Sequence, residues 1–277
     1  MLEKIEVRSV QGAVLTFPLE EPSGYLIEDI EGLDPVNANI VSSTFANLDG
    51  EQYQSARREK RNIIFKMNLD PDYETESVRD LRTRLYNFMM PKSEVSLRFY
   101  QDDAPTVDIV GRVESFVAPL FAKVPKATIS LLCMDSDFYV PEPVILAGTT
   151  TPNLDASLPG AMSFDYEGSI DSGLLLTVNV NRSVASFVVY IRSEEGAVQS
   201  LTFAAPLLAG DVLRISTNPG NKYATVTRAG VQSPILYGIS PYSEWVKVTP
   251  GINIMRIVLA GAAVPFTIEY NDKFGGL

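Results

Sequence analysis

Gly32 to Leu69 reads GLDPVNANIVSSTFANLDGEQYQSARREKRNIIFKMNL. Asn37–Ala46 is one strand-like run. In a second run, Ile63, Phe65, Met67 and Leu69 alternate with Ile64, Lys66 and Asn68, the period-2 pattern of a half-buried strand. Between them Leu48-Asp49-Gly50 marks a turn, and Glu51–Arg61 is too polar for a core. The spacing predicts a long hairpin over about 37–69 with a projecting polar arm. The rest of the first half packs on its apolar face.

A helix follows, over about 76–90. Val78, Leu81, Leu85, Phe88 and Met89 fall at 3–4 spacing and make one apolar stripe. Thr75 or Ser77 caps its start, Glu76 and Asp80 suit its positive end, and Pro91 stops it. Arg79, Arg82 and Arg84 are expected on its other faces. Upstream, strands are expected at 3–10, from Val14, and at Tyr25–Leu33. Downstream they are expected at 94–100, 106–117 and 126–134.

The boundary is placed near Phe138, where Asp135–Val144 carries two prolines, Pro141 and Pro143, that favour an extended linker. Residues 1–138 form the first domain and 139–277 the second. The second shows no helix. It reads as short strands at 162–166, 174–180, 186–192, 197–203, 211–216, 222–227, 245–248, 252–259 and 266–270. Asn218-Pro-Gly-Asn221 and Arg228-Ala-Gly230 are turns. This pattern points to an antiparallel sandwich of the jelly-roll or galectin-like kind. The fold class is therefore mainly β with one helix.

A formal net charge of −11 in 277 residues argues against a basic nucleic-acid clamp. Cys133 is the sole cysteine, so there is no intrachain disulfide, and its setting reads as a small buried hydrophobe. The start, MLEKIEVRSV, lacks the apolar core of a signal peptide. Ile254–Phe266 is interrupted by Arg256 and Pro265 and is too short to span a bilayer. The expectation is a chain folded in a cytoplasm and away from membranes.

The chain has no histidine. That removes Ser-His-Asp and Cys-His catalysis and His-ligated zinc. No phosphate loop or dinucleotide fingerprint is present. Carboxylates stand together at Glu20/Glu21, Glu28/Asp29/Glu31, Asp102/Asp103 and Asp135/Asp137. A glycosidase needs two held across a cleft, and neighbours on one loop do not supply that. A calcium site at Asp135/Asp137 would lack the EF-hand spacing. The sharpest charge feature is Arg57-Arg58-Glu59-Lys60-Arg61. It is a solvated hairpin tip, a contact to an identical subunit through Arg57, Arg58, Lys60 and Arg61, or a nucleic-acid contact. Trp245 and Tyr242, with Tyr237, either stack on a sugar or pack at an edge.

Several segments carry a family resemblance. The GLDP…NANIVSSTFANLDG…RREKRNIIFKMNL stretch, the helix ending in Met89-Met90-Pro91 and ATISLLCMDSDFY resemble the N-terminal domain of the distal tail proteins of long-tailed siphophages. In the second half, Phe164-Asp-Tyr-Glu-Gly168, NPGNKYATV from Asn218 and VTPGINIMRI from Val248 are similar to elements of the same family. The resemblance covers nearly the whole chain.

It implies a structural, non-enzymatic virion protein at the tail tip or baseplate, with no cofactor and no metal. Such proteins form a hexameric ring between the tail-tube protein and the tail-associated hub protein. The N-terminal domain builds the ring, the galectin-like sandwich sits outside, and DNA passes the lumen without specific binding. Some relatives carry inserted carbohydrate-binding modules, for which this chain has no room. Two rival readings stand beside it: carbohydrate binding through Tyr242 and Trp245, and a carboxylate-dependent glycan hydrolase.

Overall fold

The computed structural model describes the chain apart from residues 1, 20–22, 47–48, 121–122, 153–160, 194–195 and 197. The Glu20/Glu21 pair, Leu48 of the expected turn and Ala197 at the start of an expected strand lie outside the described residues. The chain divides into two compact units. One is Met1–Pro141 with Phe274–Leu277, the other Glu142–Lys273.

In the first unit the strands are β1 (Leu2–Ser9), β2 (Val14–Pro18), β3 (Tyr25–Glu31), β4 (Ala38–Ser43), β5 (Gln52–Arg58) and β6 (Arg61–Leu69). After helix α1 (Val78–Met89) come β7 (Glu94–Gln101), β8 (Val107–Val117), β9 (Lys126–Cys133) and the short β10 (Phe138–Tyr139). The main sheet is antiparallel in the order β2-β1-β7-β8-β9-β6-β3. Its inner face buries Ile5, Val7, Phe17, Phe65, Leu97 and Ile129 with Leu81, Leu85 and Met89 of α1. Its outer face carries internally paired charges beside the exposed Leu26 and Val110. Arg98 donates two 2.6 Å bonds to Asp108, and Lys66 reaches Asp29 and Glu31.

The helix starts with the expected device. The Asp80 N–H donates to the Ser77 hydroxyl at 3.3 Å, and the Ser77 N–H to Asp80 Oδ2 at 3.0 Å. One of its arginines departs from expectation. Arg82 is buried, and its Nη2 donates to the Pro119 carbonyl at 3.2 Å. It stands four residues after Val78 and three before Leu85, so helical spacing puts its stem in the apolar stripe.

The predicted long hairpin is also corrected. The first run, β4, pairs with β5, the polar stretch expected to be insert, and the two form a separate two-stranded sheet. β6 instead joins the main sheet between β3 and β9. Apolar alternation marks strands that bury a face; β5 buries none, and only its backbone bonds declare it.

The second unit is an antiparallel sandwich. Its strands are β11 (Val144–Thr149), β12 (Met162–Tyr166), β13 (Leu175–Asn179), β14 (Phe187–Ser193), β15 (Val198–Phe203) and β16 (Val212–Ser216). β17 (Tyr223–Arg228), β18 (Val231–Pro234), β19 (Gly251–Val258) and β20 (Pro265–Tyr270) complete it. One sheet runs β11-β20-β13-β16-β17-β18 and the other β12-β19-β14-β15, around a single apolar cluster. Two strands exceed the expectation. β11 begins at Val144, the last residue of the stretch read as linker, and runs on to Thr149. β18 follows a two-residue turn in which Ala229 and Gly230 both have positive φ, the geometry that matches strand twist. Trp245–Val248 is not a strand; Val248 makes an isolated bridge to Ser172.

Candidate assembly site at the arm and its base

β4 and β5 pair from Ala38 opposite Arg58 to Ser43 opposite Gln52, with a register shift after Val41. Residues directly opposite share a face. One face therefore carries Ile40 and Ala56, then Ser42 and Tyr53; the other carries Val41 and Ser55. Every side chain of β5 is exposed, and Ile40 and Tyr53 each keep 64% of their surface in solvent. Ser42 reaches Glu51, and Gln54 donates to the Ser43 hydroxyl at 2.9 Å. A two-stranded ribbon that covers neither face is marginal on its own in water. Its free edges and bare Ile40, Val41 and Tyr53 are surfaces that a partner would stabilise by covering.

At the base of this arm the basic run separates into two roles. Arg57 and Lys60 are exposed. Arg58 makes a two-pronged bond to Asp137, Nη1 to Oδ1 at 2.5 Å and Nη2 to Oδ2 at 3.2 Å. The Glu59 N–H donates to the Asn37 carbonyl at 3.0 Å and closes the ribbon.

Arg61, expected at the surface, is only 1% exposed. Its Nε donates to the Ser136 carbonyl at 2.8 Å. Its Nη1 donates to Gly32 at 2.5 Å and Asp34 at 2.6 Å, and its Nη2 to Gly275 at 2.6 Å. The guanidinium also lies 4.4 Å from the centre of the Phe138 ring. The reason is parity. Arg61, Ile63, Phe65, Met67 and Leu69 are alternate residues of one strand and point the same way. The alternation was legible in the sequence, but the charge at its first position hid its membership. Burial draws the Arg61 guanidinium below its ordinary pKa, with Cys133 and Asp137 pulling it back up. Burial also pushes the neighbouring Cys133 thiol up to about 11, which leaves it a packing residue.

The other expected site residues are not brought to the arm. Tyr242 is 95% exposed, whereas Trp245 packs against the core of the second unit with Lys222 Nζ 5.3 Å from its ring centre. Glu28 accepts two 3.0 Å bonds from Lys126 Nζ and one from Asn68. Asp135 accepts from the Asp137 N–H and the Tyr139 hydroxyl. Burial raises the pKa of that tyrosine, and the bond to Asp135 adds to the effect. Among the described residues no group of three or more His, Cys, Asp or Glu is placed to hold a metal ion. No helix among them is long and apolar enough to cross a membrane.

No protein-family profile and no curated protein matches the chain. Solved structures do. The crystal structure of the SPP1 Dit (gp 19.1) protein, described as a paradigm of the hub adsorption apparatus in phages infecting Gram-positive hosts, superposes with a TM-score of 0.66 at 14% identity. The match covers 98% of this chain and 99% of that one. The phage P2 baseplate in its activated conformation, with Ca and with Sr, gives a TM-score of 0.48 at 10% identity in both cases. Coverage is 100% of each chain for the first and 99% of each for the second. From one end to the other, this chain has the fold of the SPP1 Dit hub protein.

Proposed function

We propose that the chain is a structural, non-enzymatic component of a phage tail tip, a distal tail protein that assembles with copies of itself. Subunits join through the arm into a ring of six that links the tail tube to the hub and lets DNA pass. The observation that carries this reading is the arm, a ribbon with both faces in solvent, borne on a fold shared over its whole length with a hub adsorption protein. A contact between unlike surfaces, repeated around an axis, closes a ring. The internally paired charges on the outer face of the main sheet suit a surface that DNA slides past.

The deciding experiment is native mass spectrometry of the purified chain with negative-stain imaging. Six subunits, or two stacked rings of six, with a central hole is the expected result. A strict monomer across micromolar concentrations counts against it. In that case, binding on a glycan array that is lost in Tyr242→Ala would favour the carbohydrate-binding alternative.

A further inference from the structure

The four carbonyls around Arg61 come from distant parts of the chain. Gly32 and Asp34 precede the arm, Ser136 follows β9, and Gly275 comes after the whole of Glu142–Lys273. This returning segment, Phe274–Leu277, contributes more than one carbonyl. The Leu277 N–H donates to the Leu33 carbonyl at 3.0 Å, and Phe274 packs on the core of the first unit. A Cβ on Gly276 would stand 2.7 Å from Pro35 Cδ and 2.8 Å from its nitrogen, so the Gly276 backbone lies directly against the proline ring and only glycine fits. Gly32 has φ +87°, and a Cβ there would meet the Asn62 carbonyl at 1.9 Å. The segment running into the arm is thus held closely at two points, Gly32 against Asn62 and Pro35 against Gly276. The segment running out is held by Arg58 on Asp137 and by Arg61 itself.

We propose that Phe274–Leu277 is a latch on the base of the arm. Docked, it fixes residues 32–35 and 58–61 and with them the direction of the arm. Released, it leaves the arm on a loosened base while the core of the first unit stays intact. The core survives because β6 keeps its pairing with β3 and β9, which the latch does not supply. The latch follows the second unit in the chain, so the arm of a growing polypeptide is unlatched until Glu142–Lys273 has been made. That timing restrains subunits from engaging early. Only this consequence rests on the assembly reading; the latch does not.

The test is hydrogen exchange read by mass spectrometry on two full-length variants at a concentration where the chain is monomeric. Gly276→Val pushes the returning segment off Pro35, and Phe274→Ser removes its apolar anchor without touching Pro35. Both are expected to speed exchange of the amides in 38–43 and 52–61 at least tenfold while leaving β7–β9 and β14–β19 at the wild-type rate. Wild-type exchange in the arm of both variants overturns the proposal. So does acceleration of β7–β9 in parallel with the arm, because the segment would then be core. A chain that never forms a ring still gives this reading, so failure of the assembly proposal and failure of the latch are separable.

Discussion

β5 and β6 are separated by two residues and obey opposite rules. All seven residues of β5 are exposed, while β6 buries every second side chain from Arg61 to Leu69. Both are antiparallel strands. The difference shows that backbone pairing alone is enough to draw a strand, while burial of one face is what gives it stability. It also separates two uses of arginine. Arg58 keeps one side in solvent and meets a carboxylate; Arg61 is taken inside and meets carbonyls. On this reading β6 belongs to the fold and β5 to whatever the fold assembles with.

The largest effect that sharpens this contrast is in the core. Phe65→Ala is expected to cost about 3–5 kcal/mol in urea unfolding, since Phe65 has no solvent exposure. Arg61→Met comes next, at about 3 kcal/mol, because it strips the charged partner from four carbonyls at the base of the arm. A stability change within about 0.5 kcal/mol, the usual range for surface positions, would return Arg61 to the surface class. The paired change Ile40→Ser with Tyr53→Ser should leave urea unfolding of the monomer within about 0.5 kcal/mol of wild type. It should nonetheless abolish the oligomer in native mass spectra; an oligomer that persists removes the arm from the interface. The smallest expected effect is that of Arg57→Glu with Lys60→Glu. It leaves the fold unchanged and weakens assembly in a way that fades as salt rises. Arg61 has no place in that charge test, since reversing it would attack the fold itself.

Much of the architecture was legible from periodicity. The inward rows of β1, β6, β7 and β9, the stripe of α1 and the Ser77 cap all follow from spacing and side-chain chemistry. What escaped had no such signal. β5 reads as a charged loop because its strand character is carried by pairing with β4. β11 was hidden by the prolines before it, which fit the approach to an edge strand as well as they fit a linker. Arg61 and Arg82 read as surface residues by their charge, although their spacing places them with the apolar residues around them. The returning segment was invisible for a different reason. Its partners, Leu33 and Arg61, lie more than two hundred residues away, and no local pattern in a sequence encodes a contact of that range.

The second unit therefore occupies an interval inside the first and is joined to it by two seams, after Pro141 and before Phe274. A domain spliced in this way behaves as a cassette. Recombination at the two seams would exchange the whole sandwich for another insert whose ends meet the same two points, and would leave the sequence of the arm, its base and the main sheet unaltered. Across a lineage, the inserted unit could change as a block, while the unit that carries the arm keeps its own core and its own latch.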